Sequence, residues 1–256
     1  MIDIQKEIDT RDIALKNVGI KDFKWPILVL DRENKNQRTI ANIDASVGLC
    51  HNIKGTHMSR FVEIIKEIKE VSPKNIEEIL DNMMVKLDSK SAYMKIEFDY
   101  FIKKVSPITE IEALSDIKCR YEASKQEGFK LLMGVTIPVI TLCPCSKAIS
   151  EFGAHNQRAI VDILVDMNSL VWIEEMVEIA EESASSPVYP LLKRKDEKHV
   201  TEQSYLKPRF VEDVVREVAL RLERNKRIDW YSVKVESIES IHNHTAFAYT
   251  EKGYIL

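Results

Sequence analysis

Glycine, proline and cysteine are all scarce in this 256-residue chain, at 7, 8 and 4 residues. With 45% hydrophobic and 30% charged residues beside them, that scarcity excludes a disordered or collagen-like chain and predicts a packed globular one. Four cysteines are too few for a disulfide scaffold at this size, so a close pair such as Cys143 and Cys145 points to metal binding or chemistry instead. Long apolar runs are missing as well. The most apolar stretch, Leu131 to Cys145, is broken by Gly134, Pro138 and Pro144, which argues against a membrane span. No excess of positive charge exists, because 37 basic and 41 acidic side chains alternate along the sequence to a net charge of -4. A broad basic face for nucleic acid is thereby excluded, and any phosphate site must be local. The opening MIDIQKEIDTRDIALK lacks the basic leader and apolar core of a signal peptide, so a cytoplasmic location is expected.

What is present is a repeated order of elements. PILVLD from Pro26 and RTIANIDASVGL from Arg38 alternate with period two around the turn DRENKNQ, which predicts an antiparallel hairpin. His57 to Glu70 and Asn75 to Leu87 carry apolar residues three and four apart and predict helices, separated at Ser72-Pro73. Alternation resumes from Ala92 and from Ser115, completing ββααββ. Strands over Phe129 to Leu142 and Arg158 to Asp166, helices over Ser169 to Ala184 and Phe210 to Arg224, and strands over Ile228 to Ile238 and Thr245 to Thr250 repeat that order. The expected fold is therefore α+β, with two tandem ββααββ modules at residues 1–126 and 127–256. Ser185 to Pro208 reads as a long connecting loop, and loops of that length are usually functional or disordered.

Chemistry concentrates in a few short blocks. Cys143-Pro144-Cys145 follows an apolar strand, and His155 follows in GAHNQR. Thiolate and imidazole suit zinc or ferrous iron, and no second pair completes a structural four-ligand set, so an open catalytic site is one reading. Core cysteines beside a hydrogen-bonded loop histidine are the other, and spacing leaves both open. His242 and His244, two apart in IHNHTAF, would share one face of a strand, as a proton-transferring pair or as plain surface histidines. Lys54, His57 and Arg60 in KGTHMSRF surround a helix start suited to anionic oxygens, or carry solvated charge. Glu197 within KRKDEKH reads alone as solvated, and Glu212 in FVEDVV as a helix-dipole partner.

CPCSKAISEFGAHNQR, NIKGTHMSRF, KRKDEKHVTEQ, FVEDVVREV and ESIHNHTAFA occur in the order and at about the separations found in type IB GTP cyclohydrolases, which this chain resembles along most of its length. One departure is LCHN at Leu49 to Asn52, where a proline is expected after the leucine. The resemblance implies the tunnelling fold, a homotetramer with active sites near subunit interfaces, and one divalent metal per site, whether zinc, ferrous iron or manganese. It implies Cys143, His155 and Glu197 as metal ligands, Glu212 as the guanine anchor, and Lys54, His57 and Arg60 as triphosphate contacts, although His57 could act near the metal. His242 and His244 become the catalytic proton carriers beside Cys143, and Cys145 a neighbour with a supporting or packing role. The implied reaction converts GTP to 7,8-dihydroneopterin triphosphate and formate, the entry to tetrahydrofolate synthesis. An archaeal-type enzyme giving the 2′,3′-cyclic phosphate, a nitrile reductase of the same fold and a structural-metal interaction module are the rivals.

Overall fold

The computed structural model describes residues 4–255; Met1 to Asp3 and Leu256, at the outer ends of the expected modules, lie outside them. In chain order the elements are β1 (Leu15–Asp31), β2 (Lys35–Leu49), α1 (Met58–Ile65), β3 (Glu70–Val71), α2 (Ile76–Lys86), β4 (Ala92–Val105), β5 (Glu112–Lys125) and β6 (Phe129–Leu142). There follow α3 (Pro144–Ile149), β7 (Asn156–Met167), α4 (Ile173–Ser183), β8 (Ser186–Pro187), α5 (Arg194–Leu206), α6 (Val211–Glu223), β9 (Ile228–Ile238) and β10 (Thr245–Glu251). The chain gathers into two compact units, residues up to Asp99 with Arg120–Met133, and Tyr100–Cys119 with Gly134–Leu256. The long strands β4, β5 and β6 give residues to both.

In the first unit β2 lies between β1 and β4 and is antiparallel to each, while the short β3 pairs parallel to β1. The hairpin turn forms where expected because Asp31 accepts the backbone N–H groups of Glu33 and Asn34 at 2.8 and 2.7 Å. β1 begins at Leu15, well before the alternation that announces it, since register shifts between Leu15 and Val18 and between Ile20 and Phe23 break its period. Phe61, Ile64 and Ile65 of α1 and Ile76, Leu80 and Met83 of α2 are buried, spaced as helical apolar stripes require. Truncating one of them, Leu80→Ala for instance, removes about 2–5 kcal/mol.

The second unit repeats the principle. β9 is antiparallel to both β7 and β10, and β8 pairs with β6. Val161, Ile163 and Val165 of β7 and Val233 and Val235 of β9 are buried, as are Met176, Val177 and Ala180 of α4 and Val214, Val215, Val218 and Leu222 of α6. The residues between Ser185 and Pro208 are not a plain loop, because α5 occupies much of that stretch. Its start is held by Asp196, which is fully buried and accepts the N–H groups of Ile108 and Thr109 at 2.9 Å, the Thr109 hydroxyl at 2.6 Å and the Lys193 N–H at 2.9 Å. Burial opposes charge on this carboxyl, but hydrogen bonds from Thr109, Lys193 and Ile108 outweigh it and hold the group well below the usual carboxylate range.

Candidate active site

The site grows from the end of β6. Pro144 occupies the first turn of α3, where its missing N–H costs nothing, and Cys143 caps that turn with its Sγ accepting the Ser146 N–H at 3.4 Å. The Cys143 N–H donates to the His155 carbonyl at 3.1 Å, and the His155 N–H donates to Ser146 Oγ at 3.3 Å. Cysteine and histidine are thus tied together by main chain across the α3 loop. β7 starts one residue after His155, and its Gln157 Oε1 lies 2.9 Å from His155 Nδ1.

These groups open onto a cleft of about 490 Å³ whose walls include Cys143, His155, Arg209, Glu212, His242 and His244. Glu212 stands in the first turn of α6, which begins where the Phe210 N–H donates to Asp213 Oδ2 at 2.9 Å. His242 and His244 come from the exposed connection between β9 and β10, not from a strand as the spacing predicts. They nonetheless face together, with rings stacked at 5.1 Å and 18°, and the His242 ring meets that of His155 edge-on at 6.4 Å. Of the residues singled out in the second unit, five therefore share one cleft: Cys143, His155, Glu212, His242 and His244.

Glu197 does not join them. It is exposed on α5, one residue past the buried Asp196, and a helix turns about 100° between neighbours. Among the described residues no three His, Cys, Asp or Glu side chains gather into a metal cage. The donor chemistry of Cys143 and His155, a thiol and an imidazole lining one cleft on tethered main chain, suits a zinc or ferrous ion as two ligands of an open set. Lys54, His57 and Arg60 belong to the first unit, where His57 caps α1 in extended conformation. Lys54 pairs with Glu7 at 2.6 Å, and Arg60 donates to the Lys86 carbonyl at 3.0 Å.

Motif reading overlooks several cleft residues. Gln157 sits inside the quoted block GAHNQR, and Arg209 just before FVEDVV, but neither carries a signal without its neighbours in space. Glu239, which opens the quoted block ESIHNHTAFA just past the end of β9, also lines the cleft, as do Thr141 and Ser237, which strand register brings there.

A family model described as type I GTP cyclohydrolase folE2 matches residues 1–248. The chain is 58% identical over 251 residues to the GTP cyclohydrolase FolE2 of Caldicellulosiruptor saccharolyticus, covering 98% of each chain. To that of Thermotoga maritima it is 52% identical over 253 residues, covering 99% of this chain and 98% of the other. Among solved structures, uricase from Arthrobacter globiformis superposes with a TM-score of 0.52 at 7% identity, covering 94% of this chain and 95% of that one, which bears on the tunnelling fold alone. The chain belongs to the type I GTP cyclohydrolase FolE2 family, the type IB GTP cyclohydrolases.

Proposed function

We propose that this GTP cyclohydrolase depends on a divalent metal held by Cys143 and His155, joined by Glu197 as the third ligand that the family resemblance implies although α5 carries it outside the cleft, and that it releases 7,8-dihydroneopterin triphosphate and formate as the first step toward tetrahydrofolate. The observation that carries the reading is the single cleft joining the tethered Cys143 and His155 to the stacked His242 and His244 and to Glu212. Zinc, ferrous iron and manganese all suit the donor set to different degrees. When bound, the ion supplies Lewis acidity for hydrolytic attack at C8 of guanine.

The chain's own groups do the rest. The Glu212 carboxylate accepts hydrogen bonds from guanine N1–H and the 2-amino group, which adenine cannot supply together, so the pocket rejects it. His242, whose ring meets that of His155 edge-on, protonates the departing ring nitrogen, and His244 stacked on it supports the transfer. Lys54, His57 and Arg60 bind the triphosphate. The Lys54–Glu7 pair is about half exposed on each side, so exchanging it for phosphate oxygens costs little. In this reading the working form is a cytoplasmic homotetramer. Among the described residues no helix is long and apolar enough to cross a membrane.

Anaerobic incubation with GTP and each of the three metals, followed by mass spectrometry of the pterin fraction, tests the product. 7,8-Dihydroneopterin triphosphate with formate supports the reading; the 2′,3′-cyclic phosphate with pyrophosphate overturns it.

A further inference from the structure

His155 has two ring nitrogens, and only one can present a lone pair while the imidazole is neutral. Which one does so is decided by what the other meets. His155 Nδ1 lies 2.9 Å from Gln157 Oε1 and 4.0 Å from Glu239 Oε2. A carboxylate can only accept a hydrogen bond, and the two side chains, 13% and 12% exposed, are sheltered enough from water for its charge to be felt. Glu239 therefore favours a proton on Nδ1 whichever way the Gln157 amide is turned.

In the structure the amide oxygen is the Gln157 atom that faces His155 Nδ1. Gln157 Nε2 donates to Thr141 Oγ1 at 3.3 Å, Thr141 shares a hydrogen bond with Ser237 Oγ at 3.3 Å, and Ser240 Oγ donates to Gln157 Oε1 at 3.4 Å. Thr141 and Ser237 are buried. The chain of contacts runs from β6 through β7 to β9 and the connection beyond it, so it is mounted on strands whose register holds it in place. An imidazole in water prefers its proton on Nε2, and this network works against that default.

We infer that Gln157 and Glu239 are positioning residues that fix the His155 proton on Nδ1 and keep Nε2 bare as the nitrogen available to a metal ion. The ring contacts of His155 with Gln157 and Glu239 both run through Nδ1. The metal half of this inference rests on the proposed function, whereas the tautomer half does not. An outer partner of this kind is worth about 10–100-fold in metal affinity.

The test uses the full chain, metal-free and ¹⁵N-labelled, at about pH 8, where an ordinary imidazole is neutral. Long-range ¹H–¹⁵N correlation spectra report the tautomer of each histidine, and His155 is assigned from the signal lost in His155→Gln. The wild type is expected to carry the proton on Nδ1. Gln157→Leu, which keeps shape and loses the acceptor, should move the proton toward Nε2 and weaken zinc binding by about 10–100-fold. Gln157→Glu, which keeps the acceptor, should restore both, and Glu239→Gln should shift the tautomer part-way. A wild-type proton on Nε2, or a Gln157→Leu variant with unchanged tautomer and zinc affinity, overturns the inference. An Nδ1 proton lost in Gln157→Leu, together with a wild type that binds no zinc, supports the positioning role and overturns the metal reading instead.

Discussion

The backbone N–H of Cys143 donates to the carbonyl of His155 at 3.1 Å. That bond closes the loop containing α3 and holds Cys143 and His155 at one cleft without asking either side chain to hold the other. The main chain maintains the geometry, so the Cys143 sulfur, which accepts only the weak Ser146 N–H bond, retains lone pairs for a ligand. It also makes the two residues separable experimentally, since replacing either side chain leaves the tether in place.

Glu212→Gln should weaken GTP binding about 10–100-fold, the range expected when hydrogen bonds to a charged acceptor are degraded, and leave metal content unchanged. Calorimetric titration with GTP beside metal analysis checks this. Unaltered affinity removes Glu212 from the pocket.

His242→Ala should lower kcat by about 10²–10⁴-fold with GTP binding retained, and His244→Ala by less, because His242 is the one whose ring meets His155. Pre-steady-state measurement of ring opening separates them. Equal losses in both variants would mean that the stacked pair acts as one unit.

Asp196→Asn should lower Tm by at least about 2–4 °C at neutral pH, because it puts an amide where four donors require an acceptor. The carboxyl is held below its ordinary value of 3.8 in the fold, so its contribution is present above that value and is lost as pH falls beneath it. The Tm difference between wild type and variant should accordingly hold from pH 7 to about pH 5 and shrink as pH falls through 3.8 and below it. A difference that stays constant over this range would show that the charge itself contributes nothing.

Most of the fold was legible because burial of one face imposes a period. The alternation in β2 and the three-and-four spacing in α1, α2, α4 and α6 are visible without coordinates. α5 was not legible, since its charged run KRKDEKH has little apolar face and its start is fixed by Asp196 docking onto Ile108 and Thr109, far away in sequence. That same contact turns Glu197 outward, which no motif reveals. Spacing singled out the histidine pair but left surface histidines open, and the geometry behind it is a loop and not a strand. Gln157 and Glu239 acquire meaning only when β7 and β9 lie side by side.

Metal content and GTP turnover measured together, on chelator-treated protein reloaded with zinc, ferrous iron or manganese without oxygen, test the central claim most directly. Wild type should bind one ion per chain and turn over GTP. Cys143→Ala, His155→Ala and Glu197→Ala should each lose metal and activity by more than the about 10–100-fold typical of an outer partner, with circular dichroism unchanged. Wild-type metal content and turnover in Cys143→Ala would contradict the account.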